Sequence, residues 1–187
     1  MVIASKVFNT YLLVLLLLSL VAGCQSPEKK AKSRLAALNV HLESRDFADR
    51  EERVSISRDH PFTITVQKSA FLTHNDVANA KVVEVVGGFA ISLQFTHAAA
   101  SLLNQYSSNY PGKHLAIFCE FPSPTRKDIN EGRWLAAPRI NRRISDGILV
   151  FTPDASREEA DQIVLGLNNV AKKLNNVPSN PDKKAND

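Results

Sequence analysis

The residues with the most chemistry to offer are five histidines, two cysteines and a run of arginines. His41, His60, His74, His97 and His114 stand at no His-x-x-x-His spacing, so no helix face gathers two imidazoles for a metal ion. They read as unrelated surface or strand histidines, and no metal or cofactor is expected. No Gly-x-Ser-x-Gly elbow is present to expose a nucleophile. Gly87-Gly88 has no phosphate-loop lysine after it and reads as a hairpin turn. The nearest set for proton transfer is Asp128, Glu131 and His114, and nothing in their spacing joins them. No catalytic residue follows from these patterns, so the expectation is a protein that is not an enzyme. The alternative is an envelope enzyme with an unrecognised site, revealed by a pocket of perturbed titratable groups.

Two other groups admit two readings each. Cys119 sits in the apolar run "HLAIFCEF". It is either a buried small hydrophobe or a reactive thiol, which would need exposure and a lowered pKa. Arg126, Lys127, Arg133, Arg139, Arg142 and Arg143 cluster around one hairpin region. On one face they would meet anionic headgroups or an acidic partner. Otherwise they form a solvated edge that blunts strand pairing. Trp134 either anchors a partner or fills the core between sheet and helix. The candidate interaction surface is therefore Arg133, Trp134, Arg139, Arg142 and Arg143.

The start of the chain addresses location. Lys6 and the amino terminus precede an apolar run from Tyr11 to Leu20, followed by Val21, Ala22, Gly23 and Cys24. This is a secretory signal segment, and its apolar run is about half the ~20 residues a spanning helix needs. Small residues at 22 and 23 before Cys24 resemble the bacterial lipobox. That resemblance implies cleavage before Cys24, a diacylated sulfur and an acylated amino group; the alternative is an ordinary signal with a chance cysteine. Two or more acyl chains would hold the protein stably on a membrane without a spanning segment. Gln25 after the cysteine resembles cargo sent to the outer membrane, if the cell is Gram-negative.

Removal of residues 1–23 leaves about 160 residues, roughly one domain. The whole sequence carries 23 Lys+Arg against 19 Asp+Glu, a formal charge of +4. That bias is too small to argue for nucleic acid. With Cys24 assigned to lipid, Cys119 has no partner and no disulfide framework is expected. "QSPEKKAKSR" is polar without an apolar period, so residues 24–34 read as a tether. "NNVPSNPDKKAND" reads as a disordered tail, assigned to 176–187. A single domain over 35–175 remains.

The elements that must position these side chains follow from hydrophobic period. Leu38, Val40 and Leu42, then Phe62, Ile64 and Val66, alternate with polar residues and predict strands. Thr73 with Asp76 predicts a helix start. "AKVVEVV" and "FAISLQF" flank Gly87-Gly88 as a hairpin. Thr96 caps a helix with Ala99, Leu102, Leu103, Tyr106 and Tyr110 on one stripe, stopped by Pro111-Gly112. "HLAIFCEF" is a central strand, and "RWLAAPRI" a returning one with Pro138 at an edge or bulge. Asp146-Gly147 turns into the short strand "ILVF". Ser156 with Glu159 opens a last helix striped by Ala160, Ile163, Val164, Leu167, Val170, Ala171 and Leu174. The expectation is an α+β fold: a mixed or mostly antiparallel sheet with helices packed on one face.

"HLAIFCEF", "AAPRI" and "RRISDGILVFTPDASREEADQIV" together are similar to the head subdomain in the first large periplasmic domain of SecD, a subunit of the bacterial protein-export machinery. The matching steps are Ala116-Ile117, Ala137 to Ile140, Ile144 to Gly147, Ile148 to Phe151 and Ser156 to Ala160. Phe95 and Gly112-Lys113 extend the likeness upstream, so it spans about residues 68 to 174. It implies a SecD-head-like α+β fold and contact with protein chains. SecD also carries transmembrane helices that couple export to proton flow. None follows the signal segment here, so translocase activity does not carry over. The functional expectation is a membrane-anchored cell-envelope lipoprotein that binds protein without catalysis, with a link to export. A purely structural envelope role is the remaining alternative.

Overall fold

The computed structural model describes residues 34–44, 51–58, 60–126 and 129–176. The elements in chain order are β1 (Ala37–Leu42), β2 (Glu51–Ile56), β3 (Phe62–Gln67), β4 (Leu72–Thr73), a 3-10 turn (His74–Asp76), β5 (Val77–Val85) and β6 (Gly88–Phe95). Then follow α1 (His97–Asn109), β7 (Leu115–Pro122), β8 (Asn130–Ala136), β9 (Ile148–Phe151) and α2 (Arg157–Asn175). The expected α+β class holds, and every strand pair described is antiparallel. The strands form three sheets rather than one: β4-β1-β7-β8, β2-β3 and β5-β6-β9.

Alternation decides the layers. Leu38, Val40 and Leu42 of β1 and Leu115, Ile117, Cys119 and Phe121 of β7 face the main core. Ile91, Leu93 and Phe95 of β6, Leu149 and Phe151 of β9, and Ala99, Leu103, Ala160, Ile163 and Leu167 of the helices complete it. The other face of the four-stranded sheet is covered as well. There Ala116 meets Val54, Ile56 and Val66 of the β2–β3 hairpin in a second, smaller cluster. An uncovered sheet face here would leave apolar side chains in water, so the hairpin replaces what a further helix layer would do.

Local signals set the boundaries. Thr96 caps α1 by accepting from the Ala99 amide, and Ser156 and Glu159 form a capping box on α2. Gly147 is buried with a positive φ of 67°, and a Cβ there would stand 2.6 Å from the Ala100 side chain. Only glycine both turns the chain and lets β9 start beside α1. Gly166 plays the second role on α2, where a Cβ would lie 2.6 Å from the Ala36 nitrogen. That contact, with Asn169 Nδ2 donating to the Arg34 carbonyl at 2.9 Å, seats the start of the domain on α2.

Three expectations need correction. Thr73 and Asp76 do form a capping box, but on one 3-10 turn; the chain goes straight into β5, because valine-rich "VANAKVVEV" suits a pleated strand better than a helix. The returning strand β8 ends at Ala136, before Pro138, which has no amide for the ladder; a lone bridge between His114 and Arg139 carries the pairing one step further. On α2, Val170 is half-buried and Leu174 is 45% exposed. The buried stripe of α2 therefore ends at Ala171.

Candidate docking surface

The arginines divide into two groups. The first is bound into the fold. Arg133, on β8, has a side chain only 17% exposed and lies 2.6 Å from Glu159 Oε2 and 3.1 Å from Glu131 Oε2. It also donates to the Asp154 carbonyl at 3.3 Å and covers the Phe121 ring. Arg58 reaches Asp154 at 3.2 Å, and Arg126 reaches Glu131 at 3.1 Å. The Ser123 and Arg126 side chains bonding to Glu131 hold its carboxyl below the usual range. A guanidinium with this many partners is poorly placed to greet another molecule.

The second group is not held by ion pairs. Lys113, Arg139, Arg142 and Arg143 make none of the ion pairs found among the described residues. Arg139 donates from Nε to the Gly112 carbonyl at 3.0 Å, and Arg143 donates to the Asn104 side chain. The Lys113 ammonium lies 5.2 Å from the Tyr110 ring centre. Arg139, Arg142 and Arg143 are exposed. These bonds are to neutral groups, and Asp146 is the carboxylate residue lining the same groove as Arg139 and Arg142. Lys113 joins the group only through folding: the turn after α1 meets residues 139–140 through backbone bonds from Gly112 to Ile140 and from Ile140 to Lys113, both 2.8 Å.

Beside this group runs a groove of about 350 Å³. Pro138, Ile140, Ile144 and Leu149 form its apolar lining, and Arg139, Arg142 and Asp146 are its charged residues. Strand β9 borders it as an edge strand, paired on one side only, with β6. Leu149 and Phe151 point into the core, whereas Ile148 is 36% and Val150 49% exposed.

Of the expected surface, then, Arg139 and Arg142 line one groove, Arg143 turns to Asn104 on α1, and Arg133 and Trp134 lie elsewhere. Trp134 packs with the hairpin cluster, its ring 5.1 Å from His41 and 5.3 Å from Phe118. Cys119 is fully buried, and burial pushes its thiol up to about 12, with Arg133 opposing and Glu120 adding. That is the reverse of an activated nucleophile. The proton-transfer candidates are held apart. His114, at the start of β7, takes the Glu43 carboxylate at 2.7 Å, whereas Glu131 pairs with Phe121 at the other end of that strand, roughly 20 Å away by strand rise. Asp128, Lys127 and Cys24 lie outside the described residues. Among the described residues no group of His, Cys, Asp and Glu could hold a metal ion.

An antiparallel α+β domain with Arg133 tied into the fold and Arg139 and Arg142 exposed at a surface groove is the class these features define. The sequence model of the family described as "SecDF, P1 head subdomain" matches residues 50–171, and the chain belongs to that family. No curated protein sequence matches the chain. Solved structures of SecDF share its fold, two of them as follows. One is of SecDF, described as a membrane component that enhances protein export; it is 21% identical, covers 79% of this chain and 70% of its own, and gives a TM-score of 0.51. The other is SecDF in a super-membrane-facing form, also 21% identical with a TM-score of 0.51; it covers 78% of this chain but 21% of its own. The chain thus corresponds to about a fifth of that longer protein. No helix among the described residues is long and apolar enough to cross a membrane.

Proposed function

We propose that this chain is a lipoprotein of the cell envelope, anchored through Cys24 on the extracytoplasmic side, whose head domain binds protein in connection with export and catalyses nothing. The observation that carries the reading is the SecDF head subdomain itself, with Arg139 and Arg142 exposed at a surface groove. Protein export is what the similar SecDF protein is described as enhancing. The separation of His114 from Glu131 and the raised Cys119 thiol support a binding role over chemistry. An acylated Cys24 would keep such a head near the membrane surface without a spanning helix.

Two measurements test it. Crosslinking in intact envelopes, followed by capture of the chain, is expected to recover a defined protein partner with wild type and less of it with Cys24→Ala. No partner above the Cys24→Ala control would sink the binding role. Mass spectrometry of the mature amino terminus is expected to show an acylated Cys24; a different first residue without acyl mass removes the anchor.

A further inference from the structure

The hairpin of β5 and β6 ends in an apolar tip that the fold does not use. Val86 is 106% exposed and Val85 beside it 41%. Val85 pairs with Gly88, so Val86 and Gly87 alone make the turn. Turns are dominated by Gly, Pro, Asn, Asp and Ser, and Gly87 already supplies the positive φ, 86°. Nothing in the turn asks for valine at 86. Phe89, half-buried behind the tip, lies 5.5 Å from the Arg157 guanidinium, which also pairs with Glu84. Asp161 stands 3.7 Å from the same arginine. The charges at the base of the tip thus answer one another, and beyond them the chain presents only valine and glycine.

We infer that this tip dips into the lipid surface to which the chain is anchored, fixing how the head stands on the membrane. The inference rests on the acylated Cys24 proposed above and adds a second contact to it. Chain geometry allows both contacts at once. Arg34 lies against α2, its guanidinium donating to Gln162 and its carbonyl accepting from Asn169. Arg157, at the base of the tip, starts the same helix. Helix rise puts Arg34 about 8–18 Å along α2 from Arg157. The ten steps from Cys24 to Arg34 span at most about 33–36 Å. Two valines would hold a free protein to lipid weakly. An anchored protein is already at the surface, so the second contact forms at high effective concentration. Apolar burial drives it, and neutral lipid suffices because the charges at the base are paired. A second copy or a protein partner is a poorer occupant, since two valine side chains are a small part of the ~800 Å² that each partner buries in a stable interface.

The test uses the mature acylated chain in vesicles of phosphatidylcholine alone. A polarity-sensitive dye is attached at Val86→Cys, or at Gln105→Cys on the exposed side of α1, which begins at the far end of β6 from the tip. The buried Cys119 does not compete for the label. Lipids brominated about 5–10 Å below the headgroups are expected to quench the dye at 86 several-fold more than the dye at 105. Raising the salt should leave that difference unchanged, because screening acts on charge and not on apolar burial. Adding Val85→Asp should remove most of the quenching, since a carboxylate resists burial, and should leave the melting curve as it is. Equal quenching at the two positions, in a chain whose mass spectrum carries acyl groups, overturns the tip contact and leaves the anchor standing. Absence of acyl groups removes both. Quenching that survives Val85→Asp assigns the burial to the dye and overturns the inference as well. So does a dye shielded in isolated envelopes but water-exposed in the pure lipid, because the occupant is then a protein.

Discussion

Arg133 and Arg142 are nine positions apart in the sequence and differ in what surrounds them. Arg133 is held by Glu159, Glu131 and the Asp154 carbonyl over the Phe121 ring. Arg142 is exposed at a groove rim and pairs with no carboxylate among the described residues. Residue type is therefore a poor guide to role. A guanidinium that satisfies buried carboxylates works for the fold, and one with uncompensated charge is available to a partner. The strand edges are met by side chains as well, β5 by Asn168 at Ala80 and β9 by Asp146 at the Ile148 amide.

The sharpest way to break this contrast is to remove Arg133. Glu159 is 11% exposed at its side chain, and it also accepts from the Ser156 amide as part of the α2 cap. Arg133→Ala would leave that carboxylate mostly buried without its closest cation. The expected cost is about 3–5 kcal/mol in a denaturant melt, the usual result of breaking a buried pair from one side. A loss within about 0.5 kcal/mol would put Arg133 with the surface group and dissolve the distinction.

The helix that carries Glu159 gives the next test. Leu167 is fully buried, so Leu167→Ala should cost about 2–5 kcal/mol. Against a total of about 5–15 kcal/mol, that could unfold a marginal domain. Asp161, exposed and 3.7 Å from Arg157 one turn away, should tolerate Asp161→Ala within about 0.5 kcal/mol. Equal losses at the two positions would mean that α2 does not cover the sheets with the face assigned here.

Much of this was legible because the signals are local. Ser156 and Glu159 are three residues apart, Thr96 caps the helix that begins beside it, and Gly87-Gly88 joins two alternating runs. What was illegible depends on distant partners. Arg133 meets Glu159 across 26 positions, Asn168 meets Ala80 across 88, and Arg58 meets Asp154 across 96. No period reports such contacts, so Arg133 and Trp134 looked like surface candidates. Strand β2, "EERVSI", has two apolar residues and little alternation to detect, and it forms because β3 pairs with it residue for residue. In "ILVF" all four residues are apolar, so composition hid that Ile148 and Val150 face outward while Leu149 and Phe151 fill the core.

Cys119 sharpens the contrast through pH. Its thiol is pushed from the ordinary 9.0 to about 12 by burial, and the nearby Arg133 charge acts the other way. The unfolded chain therefore releases this proton first. The unfolded state then binds fewer protons than the folded one, and stability falls as pH rises. The contribution is complete below pH 9 and is lost between pH 9 and about 12. Cys119→Ala should flatten that alkaline decline, measured as the denaturation midpoint at successive pH values. An unchanged decline would mean the thiol is not the group responsible. In the native protein the thiol should also resist alkylation at pH 8 until denaturant is added, because the thiolate is the reactive form.

The smallest effect is expected where function is assigned. Arg142→Ala removes an exposed side chain with no ion pair among the described residues, so its stability change should stay within about 0.5 kcal/mol. Reversing the charge with Arg142→Glu should be similarly mild at high salt. At low salt it removes one positive charge beside Arg139 but adds a carboxylate beside Asp146, which lines the same groove, so the change should stay within about 0.5 kcal/mol there too. Melting wild type and variant side by side at two salt concentrations checks this. A loss of several kcal/mol, comparable to that of Arg133→Ala, would show that Arg142 has a structural partner, and the groove rim would lose its claim to be a docking surface.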